Sequence, residues 1–67
     1  MLELTVNGKS RTASAGTRVS QLVSELGLDG RKIAVERNLE IVPRSRYSEQ
    51  ELESGDRIEI VQFVGGG

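Results

Sequence analysis

The chain opens with a strict alternation of apolar and polar side chains. Leu2, Leu4 and Val6 would share one face of an extended segment, and the residues between them are polar. A period of two is typical of a strand with one buried face. The Asn-Gly pair at residues 7–8 suits the two positive φ angles of a tight hairpin turn. We therefore predict a β-hairpin whose second strand covers residues 9–13.

A helical period replaces the alternation after residue 16. Apolar residues recur there at i, i+3, i+4 and i+7, namely Val19, Leu22, Val23 and Leu26. This spacing places them on one face of a helix, which would pack on the hairpin. Thr17 is the predicted N-cap, because its hydroxyl can accept a hydrogen bond from the first turn. Gly27 suits the left-handed position that ends a helix, and Leu28 can supply the accompanying apolar contact.

Two short strands are predicted next. Residues 33–35 are apolar and β-branched at both ends, which favours an inner strand. A turn is predicted at residues 37–38, followed by a strand containing Leu39, Ile41 and Val42. Pro43 would end that strand at a sheet edge, because proline cannot donate to the ladder.

The remaining segment contains a turn of helix and a final strand. Ser48 and Glu51 have the spacing of a capping box, which predicts one helical turn at residues 49–52. A turn at residues 54–56 then leads into a strand predicted to cover residues 57–64.

The last strand has two different faces. Ile58 and Ile60 would lie on one face, whereas Val61 and Phe63 would lie on the other. We expect this strand to pair in parallel with the first strand at the sheet centre. The predicted fold is α+β, with a mixed five-stranded sheet, one main helix on one face and a short helical turn before the last strand.

The length, net charge and residue types of the chain limit the classes of function it can have. A chain of 67 residues has room for one small core, which we assign to residues 1–64, with 65–67 as a flexible tail. The net charge of -1 disfavours binding to nucleic acid or to an anionic membrane. Cysteine and histidine are absent, so we expect no metal site and no bound cofactor. With neither a signal sequence nor a membrane span, we expect a cytoplasmic protein.

The terminal glycines, Gly65, Gly66 and Gly67, are the most informative residues for function. Glycine lacks a Cβ, so such a tail can enter a slot that excludes other residues. Activation of the Gly67 carboxylate with a nucleotide would let a sulfur or an amine displace the leaving group and stay on the chain. The alternative is an inert, frayed terminus.

Six segments together resemble the ThiS family, the ubiquitin-like sulfur carriers of thiamine biosynthesis, which have the β-grasp fold. They are Val6-Asn7-Gly8, Leu26-Gly27, Ala34-Val35-Glu36 with Asn38, Ile41-Val42-Pro43-Arg44, Gly55-Asp56 before Ile58-Glu59-Ile60-Val61, and Val64-Gly65-Gly66-Gly67. Each segment alone is common, but their order and spacing are specific and cover essentially the whole chain.

The resemblance implies a carrier that lacks catalytic residues of its own. A ThiF-like adenylyltransferase would use ATP and Mg²⁺ to adenylate Gly67, and Gly66 belongs to the same reactive end. Sulfur from a persulfide, supplied by a cysteine desulfurase or another donor, would then give a thiocarboxylate. That group would deliver sulfur to a ThiG-like thiazole synthase. Gly65 would serve as the tether.

Three alternatives stay open on the sequence. The carrier could feed molybdopterin or cysteine assembly, it could be a modifier joined to lysine by an isopeptide bond, or it could be a β-grasp binding module, touching RNA, with an inert tail.

The reach of the tail predicts a docking face. Three extended residues span only about 10 Å, so the end of the last strand must lie against the partner. We expect Val61, Phe63 and Val64 to contact it, with Phe63 as the anchor. Alternatively, Phe63 packs near Tyr47 in a separate apolar cluster. The charged side chains of residues 31–59, both basic and acidic, are interpreted as a solvated surface.

Overall fold

The computed structural model describes residues 1–63. Its elements are β1 (Leu2–Val6), β2 (Lys9–Ala13), α1 (Val19–Glu25), a 3-10 helix (Gly30–Lys32), β3 (Ile33–Arg37), β4 (Glu40–Val42), a second 3-10 helix (Arg44–Arg46) and β5 (Arg57–Gln62). Within this range the longest helix, α1, has 7 residues, and no described helix has the length and hydropathy of a membrane span.

The strands form one mixed sheet in the order β2-β1-β5-β3-β4. β1 and β5 run parallel, with Val6 beside Ile58, and the other neighbouring strands are antiparallel. The predicted fold class and the parallel pairing of the first and last strands are therefore confirmed. β5 lies at the centre, hydrogen-bonded on both sides, so the strand that leads to the glycine tail is held by two neighbours.

One face of the sheet packs against α1. Val19 and Leu22 of the helix and Ile58 of β5 are fully buried, each with 0% exposure. The other members of the core are Leu4, Ala13, Val23, Ile33, Val35, Val42, Tyr47, Leu52 and Ile60. Burying a large aliphatic side chain stabilises a fold by roughly 1.5–3 kcal/mol, so this single core is the main source of stability.

The β1–β2 turn and the helix end agree with prediction. Asn7 and Gly8 have φ angles of 50° and 81°, as the two-residue hairpin requires. Gly27 has a φ of 73°. The N–H of Leu28 donates to the Val23 carbonyl at 3.1 Å, which closes the last turn of the helix.

The predicted N-cap of the helix is wrong by one residue. Arg18 occupies the cap position, and its backbone N–H donates to Oε1 of Gln21 at 2.8 Å. Thr17 is instead buried, and its carbonyl accepts from the Leu52 N–H at 2.9 Å. The cause is a tertiary contact, because Leu52, which is distant in sequence, hydrogen-bonds to Thr17 directly before the helix begins.

The β3–β4 turn is shifted by one residue from its predicted position. Arg37 belongs to β3, and Asn38 and Leu39 form the turn with φ angles of 52° and 71°. Leu39 is therefore not part of the fourth strand. A leucine at positive φ is uncommon. The Asn38 side chain helps to hold this turn, since its Nδ2 donates to Oδ1 of Asp56 at 3.0 Å.

The helical turn between β4 and β5 is also misplaced in the prediction. Ser48 and Glu51 do not form a capping box, and the short helix lies earlier, at residues 44–46 directly after Pro43. The fixed φ of proline favours the start of a helical turn. Glu51 instead forms an isolated antiparallel bridge with Arg18, which keeps it extended. Pro43 ends β4 at the sheet edge, as predicted.

Candidate functional site

Four of the six predicted site residues lie outside the described residues: Val64, Gly65, Gly66 and Gly67. The predicted end of the last strand at residue 64 and the assignment of 65–67 as a tail fall there too, and both stay predictions. The structure does place Val61 and Phe63. The described part of the candidate site therefore consists of the elements that hold the end of β5.

Backbone pairing with β3 continues past the end of β5. Ile33 lies opposite Gln62 in the ladder, and the next N–H, that of Phe63, donates to the Lys32 carbonyl at 2.9 Å. Phe63 is thus held in line with the strand. The chain leaves the described part of the structure beside the start of β3.

Asn7 secures the other side of β5. The strand β1 ends at Val6, but the Asn7 side chain continues its ladder: Nδ2 donates to the Ile60 carbonyl at 3.2 Å, and Oδ1 accepts from the Ile60 N–H at 2.7 Å. We call this pair of contacts the Asn7 clamp. The local sequence predicts only a turn role for Asn7. The clamp links two residues 53 positions apart, so no local pattern indicates it.

The start of β5 is held by a buried carboxylate. Asp56 is 5% exposed, and its Oδ2 accepts from Nε of Arg37 at 2.7 Å and from the Glu53 N–H at 2.8 Å. Its Oδ1 accepts from Asn38 Nδ2. The sequence predicts only a turn at Asp56 and gives no sign of this network, because the two side-chain donors, Arg37 and Asn38, come from the distant β3–β4 hairpin.

The network shifts the pKa values of both charged members. Burial raises the pKa of the Asp56 carboxyl, but hydrogen bonds from Arg37, a backbone N–H and an amide outweigh burial, so the pKa lies below its usual 3.8. The hydrogen bond to Asp56 raises the pKa of Arg37. Both groups therefore stay charged at neutral pH, and the ion pair is a permanent brace.

The face of the sheet opposite α1 carries exposed apolar side chains near the end of β5. Val61 is 61% exposed and Phe63 is 49% exposed. Ile41 of β4 is 63% exposed and lies on the same face, where Ala34 of β3 is the ladder partner of Val61. We call these four residues the apolar patch. The predicted orientation of Val61 and Phe63 away from the core is confirmed, while their contact with a partner stays a prediction.

The alternative interpretation of Phe63 finds no support. Tyr47 is 8% exposed and belongs to the main core under α1. Phe63 remains about half exposed on the other side of the sheet. The two aromatic residues therefore do not form a separate cluster.

Among residues 1–63 there is no group of three or more side chains suited to bind a metal ion. The described part of the molecule offers instead an exposed, partly apolar sheet surface near the end of β5. Such a surface is suited to docking against another protein.

Comparisons with known proteins agree with this architecture. The family model described as "ThiS family" matches residues 4–67. The crystal structure of a thiamine biosynthesis protein (ThiS) from Geobacter metallireducens superposes with a TM-score of 0.84 at 33% sequence identity, covering 98% of this chain and 100% of that one. The β-grasp assignment is thereby confirmed.

Two curated relatives differ in length. The sulfur carrier protein ThiS of Bacillus subtilis is 43% identical over 65 residues, which cover 96% of this chain and 98% of that protein. A thiazole synthase of Paramagnetospirillum magneticum is 53% identical over 66 residues, which cover 98% of this chain. The chain spans only 20% of the length of that thiazole synthase.

Proposed function

The chain belongs to the ThiS family, and on this premise we propose that it carries sulfur for the thiazole ring of thiamine, with the carboxylate of Gly67 as the reactive group. The observation that carries the proposal is the family match, which runs through Gly67 itself. The name of the Bacillus subtilis relative, a sulfur carrier of nearly the same length, supports it.

The proposed chemistry takes place on the partner enzymes, and this chain is a protein cosubstrate. An adenylyltransferase with ATP and Mg²⁺ joins the Gly67 carboxylate to AMP and releases pyrophosphate. A persulfide sulfur attacks the acyl carbon and AMP leaves, giving an acyl disulfide. A thiol then cleaves the S–S bond, so that a thiocarboxylate remains on Gly67 and the donor leaves as a mixed disulfide.

The surface of the chain has a role in each of these encounters. Glycine residues 65–67 enter the partner's active site, and the apolar patch rests at its entrance. Docking on Phe63 and Val61 supplies binding energy away from the reacting atoms, which positions the carboxylate. The end of β5 presents the tail because Phe63 is held by Lys32 and Ile60 is held by the Asn7 clamp.

The second proposed partner is a thiazole synthase. Its support is a thiazole synthase of Paramagnetospirillum magneticum, part of which is 53% identical to this chain. That one protein therefore contains a region like this chain together with the rest of the synthase. In the proposed reaction the thiocarboxylate sulfur forms a bond to a carbon of the substrate held by that enzyme, and water then cleaves the acyl–sulfur bond, which returns the carboxylate to Gly67. Molybdopterin and cysteine assembly are the rival destinations for the same sulfur.

Intact-mass measurement tests the proposal. The purified chain is incubated with the adenylyltransferase from the same genome, ATP, Mg²⁺ and a persulfide donor. We expect a mass gain equal to the difference between a sulfur and an oxygen atom, and none in a variant that lacks Gly67. A gain equal to a second polypeptide would indicate a lysine modifier, and an unchanged mass would contradict carrier chemistry.

Transfer from the thiocarboxylate form identifies the pathway. We expect the sulfur to be consumed by thiazole synthase and its substrates. Consumption only by a molybdopterin or cysteine synthase would replace the thiamine assignment while leaving the carrier chemistry in place.

A further inference from the structure

The outer face of the sheet, on the side away from α1, carries an ordered row of cross-strand pairs between β5 and β3. Phe63 lies beside Lys32, and Val61 lies beside Ala34. The next pair on this face joins two carboxylates, Glu59 and Glu36. We call Glu36 and Glu59 the carboxylate pair.

Within residues 1–63 only one member of the carboxylate pair, Glu59, has a counter-charge. Directly opposed like charges on neighbouring strands destabilise a sheet. Oε1 of Glu59 accepts a hydrogen bond from Nε of Arg57 at 3.3 Å, and such exposed ion pairs contribute little stability. No described cation lies within ion-pair distance of Glu36. The fold therefore tolerates a repulsive pair next to its apolar patch.

Two neighbours of the pair on this face are apolar. Ile41 is the ladder partner of Glu36 on the β4 side, and Val61 is two residues along β5 from Glu59. Ile41 and Val61 are both more than half exposed, at 63% and 61%. A partner that covers these apolar side chains must also cover the two carboxylates, and burying them without a counter-charge would be costly.

We propose that the adenylyltransferase that receives the tail carries an arginine or lysine that binds between Glu36 and Glu59. This inference rests on the proposed function, and it deepens it by stating the chemistry of the partner surface. The carboxylate pair sets the orientation of docking, because the cation lies at the end of the apolar patch far from the tail. The repulsion between Glu36 and Glu59 is thus relieved in the complex.

Strand geometry gives the position of that cation. Glu59 precedes Phe63 by four residues, and a rise of about 3.3 Å per residue separates them by roughly 13 Å. The partner's cation should therefore lie roughly 13 Å from the point where the chain enters its active site, along the direction of β5. This distance selects which arginine or lysine residues of the partner to test.

Charge reversal at Glu36 is the primary test, with the adenylyltransferase of the same genome as the probe. In Glu36→Lys the new lysine faces Glu59, so we expect thermal stability equal to or above that of the native chain. We expect affinity for the adenylyltransferase to fall by at least about tenfold, because two cations then meet. A purely structural role for Glu36 would move stability and leave affinity unchanged.

Glu49→Lys is the matched control. It makes the same change in net charge at an exposed glutamate that forms no ion pair among the described residues and lies outside β3 and β5. We expect its affinity to match that of the native chain. The milder Glu36→Gln should bind a few-fold more weakly, with a shallower dependence on salt.

A charge swap completes the test. Glutamate introduced at the partner's cation should weaken binding of the native chain and restore binding of Glu36→Lys. Native affinity in Glu36→Lys, or an equal loss in Glu49→Lys, would overturn the inference while leaving the carrier function intact. If the native chain itself is not adenylated, the proposed function fails and this inference fails with it.

Discussion

The two ends of β5 are held in opposite ways. At its start, Asp56 is 5% exposed and is surrounded by donors from Arg37, Asn38 and the backbone. At its end, Val61 and Phe63 are 61% and 49% exposed, and among residues 1–63 backbone contacts and the Asn7 clamp fix the strand.

The residues that stabilise the fold and the residues proposed to dock the partner therefore lie at opposite ends of one strand. The polar side chains at the start form hydrogen bonds with one another, so these donors and acceptors are not free to bind a partner. Side chains at the end leave apolar surface in water, which costs free energy in the isolated chain and becomes favourable when a partner covers it. Substitutions at the two ends should therefore give opposite patterns of stability and docking.

The largest expected effect is on stability at the start of β5. Asp56→Ala removes the main partner of Arg37 and the acceptor of the Asn38 amide, so we expect a loss of about 3 kcal/mol in the free energy of unfolding. Urea denaturation measures it. Glu53→Ala is the control: Glu53 reaches the same Arg37 at 3.5 Å, but its side chain is 78% exposed, so its removal should change stability little. Equal losses in the two variants would contradict the view of Asp56 as a buried brace.

The next effect is on docking at the end of β5. Phe63→Glu should leave the unfolding free energy nearly unchanged and lower kcat/KM for adenylation by about 30-fold, or about 2 kcal/mol, as expected for an interface anchor. Ser10→Glu is the control, because it adds the same charge at an exposed position of β2 on the same sheet face, opposite the uncharged Thr5. Adenylation of a folded Phe63→Glu variant at the native rate would remove Phe63 from the docking face.

A smaller effect is expected at the Asn7 clamp. Asn7→Gly keeps the positive φ but removes both side-chain hydrogen bonds to Ile60, so we expect a loss of about 1–2 kcal/mol in stability. Hydrogen exchange localises it: the Ile60 amide should exchange faster, whereas the Phe63 amide keeps its Lys32 acceptor and should change less. Equal acceleration at both amides would indicate general unfolding rather than loss of the clamp.

The smallest effect is a dependence on acid. The pKa of Asp56 is lower in the folded chain than its usual 3.8, so its contribution to stability is present above that value and is lost as pH falls through the folded pKa. Asp29 titrates in the same direction, with a pKa lowered to about 2 by hydrogen bonds from Arg31. Urea midpoints measured from about pH 5 to about pH 2 should fall less steeply in Asp56→Asn than in the native chain. Parallel curves would assign the acid sensitivity to other groups.

Most of the fold could be predicted because its signals are local. The alternation in β1, the Asn-Gly turn and the helical period of α1 each require only neighbouring residues. The errors lie where distant segments compete with local preference. Thr17 has the chemistry of an N-cap but is engaged by Leu52, and Ser48 and Glu51 have capping-box spacing, but Glu51 pairs with Arg18.

The candidate site divides in the same way. The glycine tail and the outward orientation of Val61 and Phe63 follow from residue types and a period of two, which are visible in any linear chain. The Asn7 clamp joins residues that meet only when β1 and β5 are paired. The Asp56 network and the carboxylate pair join residues that meet only when β3 and β5 are paired.

By itself, then, the sequence determined the five strands, the main helix, their buried faces and the glycine residues on which the proposed carrier chemistry depends, because each follows from periodicity or from one residue's backbone freedom. Tertiary structure alone decided how β5 is held and which charges border the apolar patch, because hydrogen bonds and ion pairs act over a few ångströms between atoms whose separation only folding determines.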